Sequence, residues 1–249
     1  NIYFPAIDSD QWETINPEEL NWNSLGIDNL YNFLQLNNTR AFIVLKDGKI
    51  VLEKYWGNNV LNTAPFDSNS NWYWASAGKT LTAFLVGIAK DNGILSLEDS
   101  SSIFLGNGWT SLEESQENLI KIKHHLTMTT GLDYLVDNLD CTDPNCLTYK
   151  NTPGTNWFYH NATYSLLKDV IENASETTYN DFTNQKVKMK IGMGGSWIQS
   201  NYNNIYWSTA RDMARFGLLI LNEGVWDNQV ILSDTNYFSN MVNTSQQLN

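Results

Sequence analysis

Residues 71–89 read Asn71-Trp72-Tyr73-Trp74-Ala75-Ser76-Ala77-Gly78-Lys79-Thr80-Leu81-Thr82-Ala83-Phe84-Leu85-Val86-Gly87-Ile88-Ala89. An aromatic, loop-like approach gives way to an apolar, small-residue run, which predicts a buried helix. Ser76 falls in its first turn. There the unpaired backbone amides and the positive end of the helix dipole favour negative charge on or near a nucleophile. Lys79 follows one helical turn later on the same face, which is the arrangement that activating a serine without a histidine requires. Burial lowers a lysine pKa, so a neutral amine able to take the serine proton is expected there.

The pattern recurs in Ser165-Leu166-Leu167-Lys168, inside a helical pattern running from Ala162 to Glu172. A hydroxyl in that position bonds back to its own helix, and Lys168 falls on the polar side beside Asp169. Context therefore selects Ser76. The tyrosines sort in the same way. Tyr159-His160-Asn161 follows Pro153-Gly154-Thr155-Asn156-Trp157-Phe158 and stands directly before a helix starting near Asn161. A side chain on a loop held by a rigid element is well placed for chemistry. Tyr149-Lys150-Asn151 follows a cysteine-bounded loop and Tyr202-Asn203-Asn204 lies in an Asn-rich stretch. Both read as ordinary loop tyrosines.

With these strings in hand, the chain resembles the penicillin-recognising serine hydrolases, close to class C β-lactamases, β-lactamase-like esterases and aminohexanoate-oligomer hydrolases. The matching text also includes Ile122-Lys123-His124-His125-Leu126-Thr127-Met128-Thr129-Thr130-Gly131-Leu132, residues 153–161, and the helix Ser208-Thr209-Ala210-Arg211-Asp212-Met213-Ala214-Arg215-Phe216-Gly217-Leu218-Leu219. The likeness runs from about Ala41 to Val242. It implies an α+β, β-lactamase/transpeptidase-like fold: an antiparallel sheet flanked by helices, plus a helical lobe, with Ser76 at their junction.

The resemblance further implies acyl transfer. Ser76 attacks a carbonyl to form an acyl-enzyme that water hydrolyses. Lys79 and Tyr159 share the proton traffic, and Asn161 binds the substrate amide or orients Lys79. The bond attacked is an ester, an amide or a β-lactam, with a broad esterase or amidase favoured over an antibiotic-resistance enzyme. A catalytically silent domain that binds peptidoglycan-like or peptide ligands, or senses them, is the rival reading.

Relatives carry a third element, a Lys- or His-x-Gly on a strand after the Ser208-type helix, whose backbone supplies an oxyanion amide. Lys46-Asp47-Gly48 comes too early and reads as a hairpin turn. Lys190-Ile191-Gly192 precedes the helix and resembles another loop of the family. Two expectations compete: the chain is the N-terminal part of a longer protein, favoured because 241–249 end on polar residues with no closing strand or helix, or it is a natural short form, inactive or completed by another chain.

Composition is consistent with this reading. The 249 residues are 42% hydrophobic and 13% aromatic, enough for one large core or two interleaved lobes. A net charge of −12 argues against nucleic acid or an anionic membrane as partner. No apolar run reaches spanning length. Cys141-Thr142-Asp143-Pro144-Asn145-Cys146 brackets a turn, so a Cys141–Cys146 disulfide is feasible and suits a periplasmic or secreted protein. With His124, His125 and His160 the only histidines, no metal-ligand spacing is present and no cofactor is expected; His124 and His125 read as packing or surface residues.

Along the chain, an arm (1–17) leads into an amphipathic helix near 17–36, apolar at Leu25, Ile27, Leu30, Phe33 and Leu34. Residues 41–46 and 49–56 flank Asp47-Gly48, the strongest hairpin signal present. Residues 1–66 form the N-terminal helix and hairpin part of the sheet lobe, and 67–249 a mainly helical lobe, with loops at Asn92-Gly93, Gly106-Asn107-Gly108, the cysteine segment and 192–204.

Overall fold

The computed structural model of the chain describes residues 2–245; Asn1 and the polar tail 246–249 of the ending discussed above lie outside the described residues. Its strands are β1 (Ala41–Lys46), β2 (Lys49–Tyr55), β3 (Trp72–Tyr73), β4 (Ser196–Ser200), β5 (Asn203–Ser208), β6 (Val225–Trp226) and β7 (Gln229–Val230). Its helices are α1 (Ser24–Leu36), α2 (Gly78–Asp91), α3 (Ser102–Leu105), α4 (Glu114–Glu117), α5 (Ile122–Leu126), α6 (Asn161–Ser165), α7 (Leu167–Ser175), α8 (Tyr179–Thr183), α9 (Met189–Ile191), α10 (Ala210–Leu221) and α11 (Thr235–Val242). The described sheets are β1-β2, β3-β5-β4 and β6-β7. Two compact units result among the described residues, each discontinuous in sequence: one from 2–74, 187–196 and 206–231, the other from 75–186, 197–205 and 232–245.

In the first unit, Asp47 (φ 51°) and Gly48 (φ 84°) both take positive φ, as the two-residue turn joining β1 to β2 demands. The β1/β2 register shifts between Val44 and Leu45 at a bulge. The N-terminal arm lies over this turn: Tyr3 N–H donates to Asp47 O at 2.9 Å and Trp12 Nε1 to Gly48 O at 2.7 Å. A Cβ at Gly48 would stand 1.8 Å from Tyr3 O, so the approach itself requires glycine.

Helix α10 begins with a capping box, Thr209 and Asp212 each satisfying the other's backbone N–H. Asp212 also accepts from Gly194 N–H at 2.6 Å. Its two arginines do different work. Arg211 forms a bidentate pair with Glu53, both contacts 2.7 Å. Arg215 is buried and spends its donors on backbone carbonyls of Ile191 (2.8 Å), Ala6 (3.0 Å) and Ser9 (2.9 Å), pinning the arm. Desolvation lowers the Arg215 pKa, against the opposing pull of Asp212.

Two sequence expectations are corrected here. The helix expected over 17–36 is a 3-10 turn (Pro17–Leu20), a left-handed Asn21 (φ 55°), and then α1. Ile27, Leu30 and Leu34 are half-buried, whereas Leu25 and Phe33 are exposed at 67% and 61%. Ile27, Leu30, Tyr31 and Leu34 form one i, i+3, i+4, i+7 stripe, and Leu25 and Phe33 fall off it. The stretch 192–204, expected as loop, holds β4 and the start of β5, joined at Asn201-Tyr202. Asn is a poor strand former, but pairing overrides propensity.

In the second unit, α2 is buried on nearly every side, with Leu81, Phe84 and Leu85 fully buried, as an all-round apolar helix must be. Tyrosine hydroxyls brace it: Tyr164 donates to Lys79 O (2.8 Å), Tyr179 to Thr82 Oγ1 (2.8 Å) and Tyr237 to Ala83 O (2.6 Å). Burial raises the pKa of each of the three phenols, keeping them neutral donors. The helical pattern expected over 162–172 is split at Leu166 into α6 and α7. Among the described residues no helix is long and apolar enough to cross a membrane.

Candidate active site

Ala75, with φ 47°, turns the chain out of β3 into the short 3-10 turn Ala75–Ala77, and α2 begins at Gly78. A non-glycine residue in the left-handed region carries a backbone cost that its surroundings must hold in place. Ser76 stands exposed on this turn. One turn later the half-buried Lys79 brings Nζ to 3.4 Å from Ser76 Oγ. Lys79 Nζ lies over the rings of Tyr159 (5.2 Å) and Tyr164 (5.8 Å), so its surroundings are aromatic.

Tyr159 reaches the same oxygen from the other side, its hydroxyl donating to Ser76 Oγ at 2.7 Å. The preceding loop is fixed by Gly154 N–H to Thr129 O (2.7 Å), Phe158 N–H to Met128 O (3.2 Å) and the Phe158 ring stacked on Tyr134 at 4.0 Å. The 122–132 segment thus backs the tyrosine loop. Gly131 (φ 78°) belongs to that support: a Cβ there would stand 2.1 Å from Asn151 O.

Asn161 is the first residue of α6, and its Oδ1 is buried without a hydrogen-bond partner among the described residues. It lines a cavity of about 200 Å³ with Ser76, Lys79, Tyr164, Lys168 and Trp197, to which Asn203, Asn204 and Ile205 also contribute. Ser76, Lys79, Tyr159 and Asn161 all belong to the second unit.

Ser165 and Lys168 also line this cavity, as does Asn204 of the rejected Tyr202 string. Lys168 donates to Asp169 and Glu172, each at 2.9 Å, so its charge is already matched. The signal for these residues was available: Asn161, Ser165 and Lys168 are spaced i, i+4, i+7, one helical face. Asn203, Asn204 and Trp197 carried no such signal, because their strands were not legible. Tyr202 donates to Asp143 at 2.7 Å.

The histidines lie elsewhere in the unit. Buried His125 is held at Nδ1 by Thr163 O (2.6 Å) and at Nε2 by Ser101 Oγ (2.8 Å). Desolvation pulls the pKa of both His124 and His125 down to about 4. His160, also lowered by burial, leaves Nε2 without a partner among the described residues. Cys141 and Cys146 are joined in a disulfide. Among the described residues no cluster of His, Cys, Asp and Glu is arranged to hold a metal.

The family model described as Beta-lactamase matches residues 39–237. Penicillin-binding protein 4* of Bacillus subtilis (strain 168) is 29% identical over 146 residues, covering 52% of this chain and 31% of that protein. Among solved structures, a Bacillus anthracis protein provisionally named a 6-aminohexanoate-dimer hydrolase superposes with TM-score 0.68 at 19% identity, over 84% of this chain and 61% of the other. The penicillin binding protein from Bacillus halodurans gives TM-score 0.69 at 16% identity, over 88% and 80%. At these identities the structural likeness shows a β-lactamase/transpeptidase-like fold. The chain spans about a third of the curated relative.

Proposed function

The chain belongs to the Beta-lactamase family, and from that premise we propose that it is a serine hydrolase working through an acyl-enzyme. The observation that carries the reading is that one hydroxyl oxygen, Ser76 Oγ, has both Lys79 Nζ (3.4 Å) and Tyr159 OH (2.7 Å) within hydrogen-bonding reach. A serine oxygen attacks a carbonyl only as its proton leaves, and these two groups flank the oxygen from which it departs. One of the pair, Lys79 as its free amine or Tyr159 as its phenolate, takes that proton, and the pair returns one to the leaving group as the acyl-enzyme forms. Water then attacks the acyl carbonyl, one of the two groups takes a proton from the water, and Ser76 Oγ recovers its own. Asn161, with an unused buried acceptor in the cavity wall, orients Lys79 or a substrate amide.

The substrate is a carboxylic ester, an amide or a β-lactam. The disulfide supports an oxidising compartment, so the site of action is periplasmic or secreted. A fluorophosphonate or a labelled penicillin should mark the chain at Ser76, and Ser76→Ala should abolish the mark. Marking that survives the substitution overturns the nucleophile. Absence of marking together with retained ligand binding moves the chain to the rival class, a silent peptide- or peptidoglycan-binding domain.

A further inference from the structure

The β3/β5 ladder has the register Trp72↔Ser208 and Tyr73↔Trp207. Its next rung is made by Trp74 N–H donating to Tyr206 O at 2.8 Å. The backbone groups of Tyr206 therefore point to the β3 side of β5. In a strand, N–H and C=O groups alternate between the two edges with period two. The N–H and C=O of Asn204 thus point to the same side as those of Tyr206, away from β4. No β3 residue stands opposite them, because the chain turns off at Ala75 with φ 47°. The β3 register stops at Tyr73↔Trp207, no turn or loop backbone group among the described residues bonds to Asn204, and Asn204 lines the cavity that holds Ser76 and Lys79.

We propose, resting on the acyl-transfer reading above, that the backbone of Asn204 is a docking rung for the acyl part of the substrate. One donor and one acceptor, side by side on a strand edge, match the C=O and N–H of a single residue of an extended chain. That selects acyl donors carrying a secondary amide, as in peptides and linear oligoamides, over plain alkanoyl esters. A plain ester lacks the N–H and fills half of the rung at most. Unlike a side-chain contact, the rung is sensitive to proline and to N-methylation.

The test uses the full chain with three p-nitrophenyl esters, of N-acetylglycine, N-acetylsarcosine and butyric acid. The acetylglycyl ester should exceed the acetylsarcosyl ester in kcat/KM by about tenfold, the sarcosine nitrogen having no hydrogen to give. Asn204→Pro, which removes a backbone N–H, should lower kcat/KM for the acetylglycyl ester about tenfold more than for the butyrate. Asn204→Ala, which keeps the backbone, should retain the glycine-to-sarcosine ratio. Equal rates for the glycine and sarcosine esters, or a parallel fall of all three in the proline variant, overturns the rung and leaves the hydrolase reading standing. A chain that turns over none of the esters and takes no covalent label overturns the hydrolase reading instead. The Asn204 amide ¹⁵N–H resonance is then followed on titration with N-acetylglycine methylamide, and no shift overturns the rung as well.

Discussion

The hydroxyl of Tyr164 donates to the backbone carbonyl of Lys79 at 2.8 Å. The residue whose amine faces Ser76 is thereby held through its main chain as well as by its helix. Burial, seconded by the neighbouring Tyr159, raises the Tyr164 pKa, so the phenol stays a donor. Tyr164→Phe removes that donor and keeps the ring under Lys79 Nζ. The expected loss of stability is about 1 kcal/mol, because the carbonyl keeps its helical partner. Turnover of an ester substrate should fall severalfold while KM holds. Urea unfolding and steady-state kinetics on the one variant read both quantities.

Two glycines inside helices predict opposite outcomes for the same substitution. At Gly87 of α2 a Cβ would stand 2.4 Å from Tyr237 Cε1, and Tyr237 is anchored by its hydroxyl on Ala83 O. Gly87→Ala should therefore destabilise by about 1–3 kcal/mol through overpacking. Exposed Gly217 of α10 has nothing within 4 Å of the same position. Gly217→Ala should stabilise by about 0.5–1 kcal/mol, since alanine gives up less conformational freedom in a helix. Thermal melts of the two variants should shift in opposite directions.

What could be read from sequence was whatever depends on neighbours a few residues apart. Asp47-Gly48 dictates its own turn, and Ser76 with Lys79 shares a face because three residues make nearly one helical turn. The Tyr159 loop announced itself through Pro153-Gly154 and the helix after it. What escaped depends on partners far along the chain. The strand at Asn203–Ser208 is an Asn-rich run that acquires its form from pairing, with Trp72↔Ser208 spanning more than a hundred residues. The carbonyl contacts of Arg215 are equally non-local, reaching back to Ala6 and Ser9. Leu25 and Phe33 show the opposite failure. Being apolar on a helix did not place them on its half-buried stripe.

The disulfide loop and the residues just before it touch two elements that line the cavity. Leu139 O accepts from Ala162 N–H in α6 at 2.8 Å, and Asp143 accepts from Tyr202 OH at the β4–β5 turn at 2.7 Å. Opening the Cys141–Cys146 link frees a segment that positions both the helix of Asn161 and the strand of Asn204. The paired change Cys141→Ser and Cys146→Ser should cost about 2 kcal/mol, the chain-entropy value for so short a loop. KM should rise more than kcat falls. Treating the unaltered chain with a reductant should reproduce the kinetic change, and a reductant without effect would separate the loop from the site.

Buried His125 supports the helix that carries Asn161, since its Nδ1 meets Thr163 O at 2.6 Å. A carbonyl only accepts, so Nδ1 bears the hydrogen and Nε2 accepts from Ser101 Oγ–H. A second proton on the ring would have to turn that bond round at a fully buried site, and desolvation there pulls its pKa down to about 4. His124 is lowered to about 4 as well, chiefly by burial and then by Lys123 and Lys121. In the unfolded chain both titrate near the ordinary value of about 6.5. Between about pH 6.5 and about pH 4 the unfolded state therefore binds protons that the folded state refuses, and stability falls as the pH is lowered through that window. Above it the two histidines contribute no slope. Each contributes at most about 1.4 kcal/mol per pH unit within it. His125→Gln, which does not titrate, should flatten the dependence of the urea midpoint on pH between 4 and 6.5, whatever it does to the midpoint at pH 7. A variant whose slope equals that of the parent chain would remove His125 from the account of acid sensitivity.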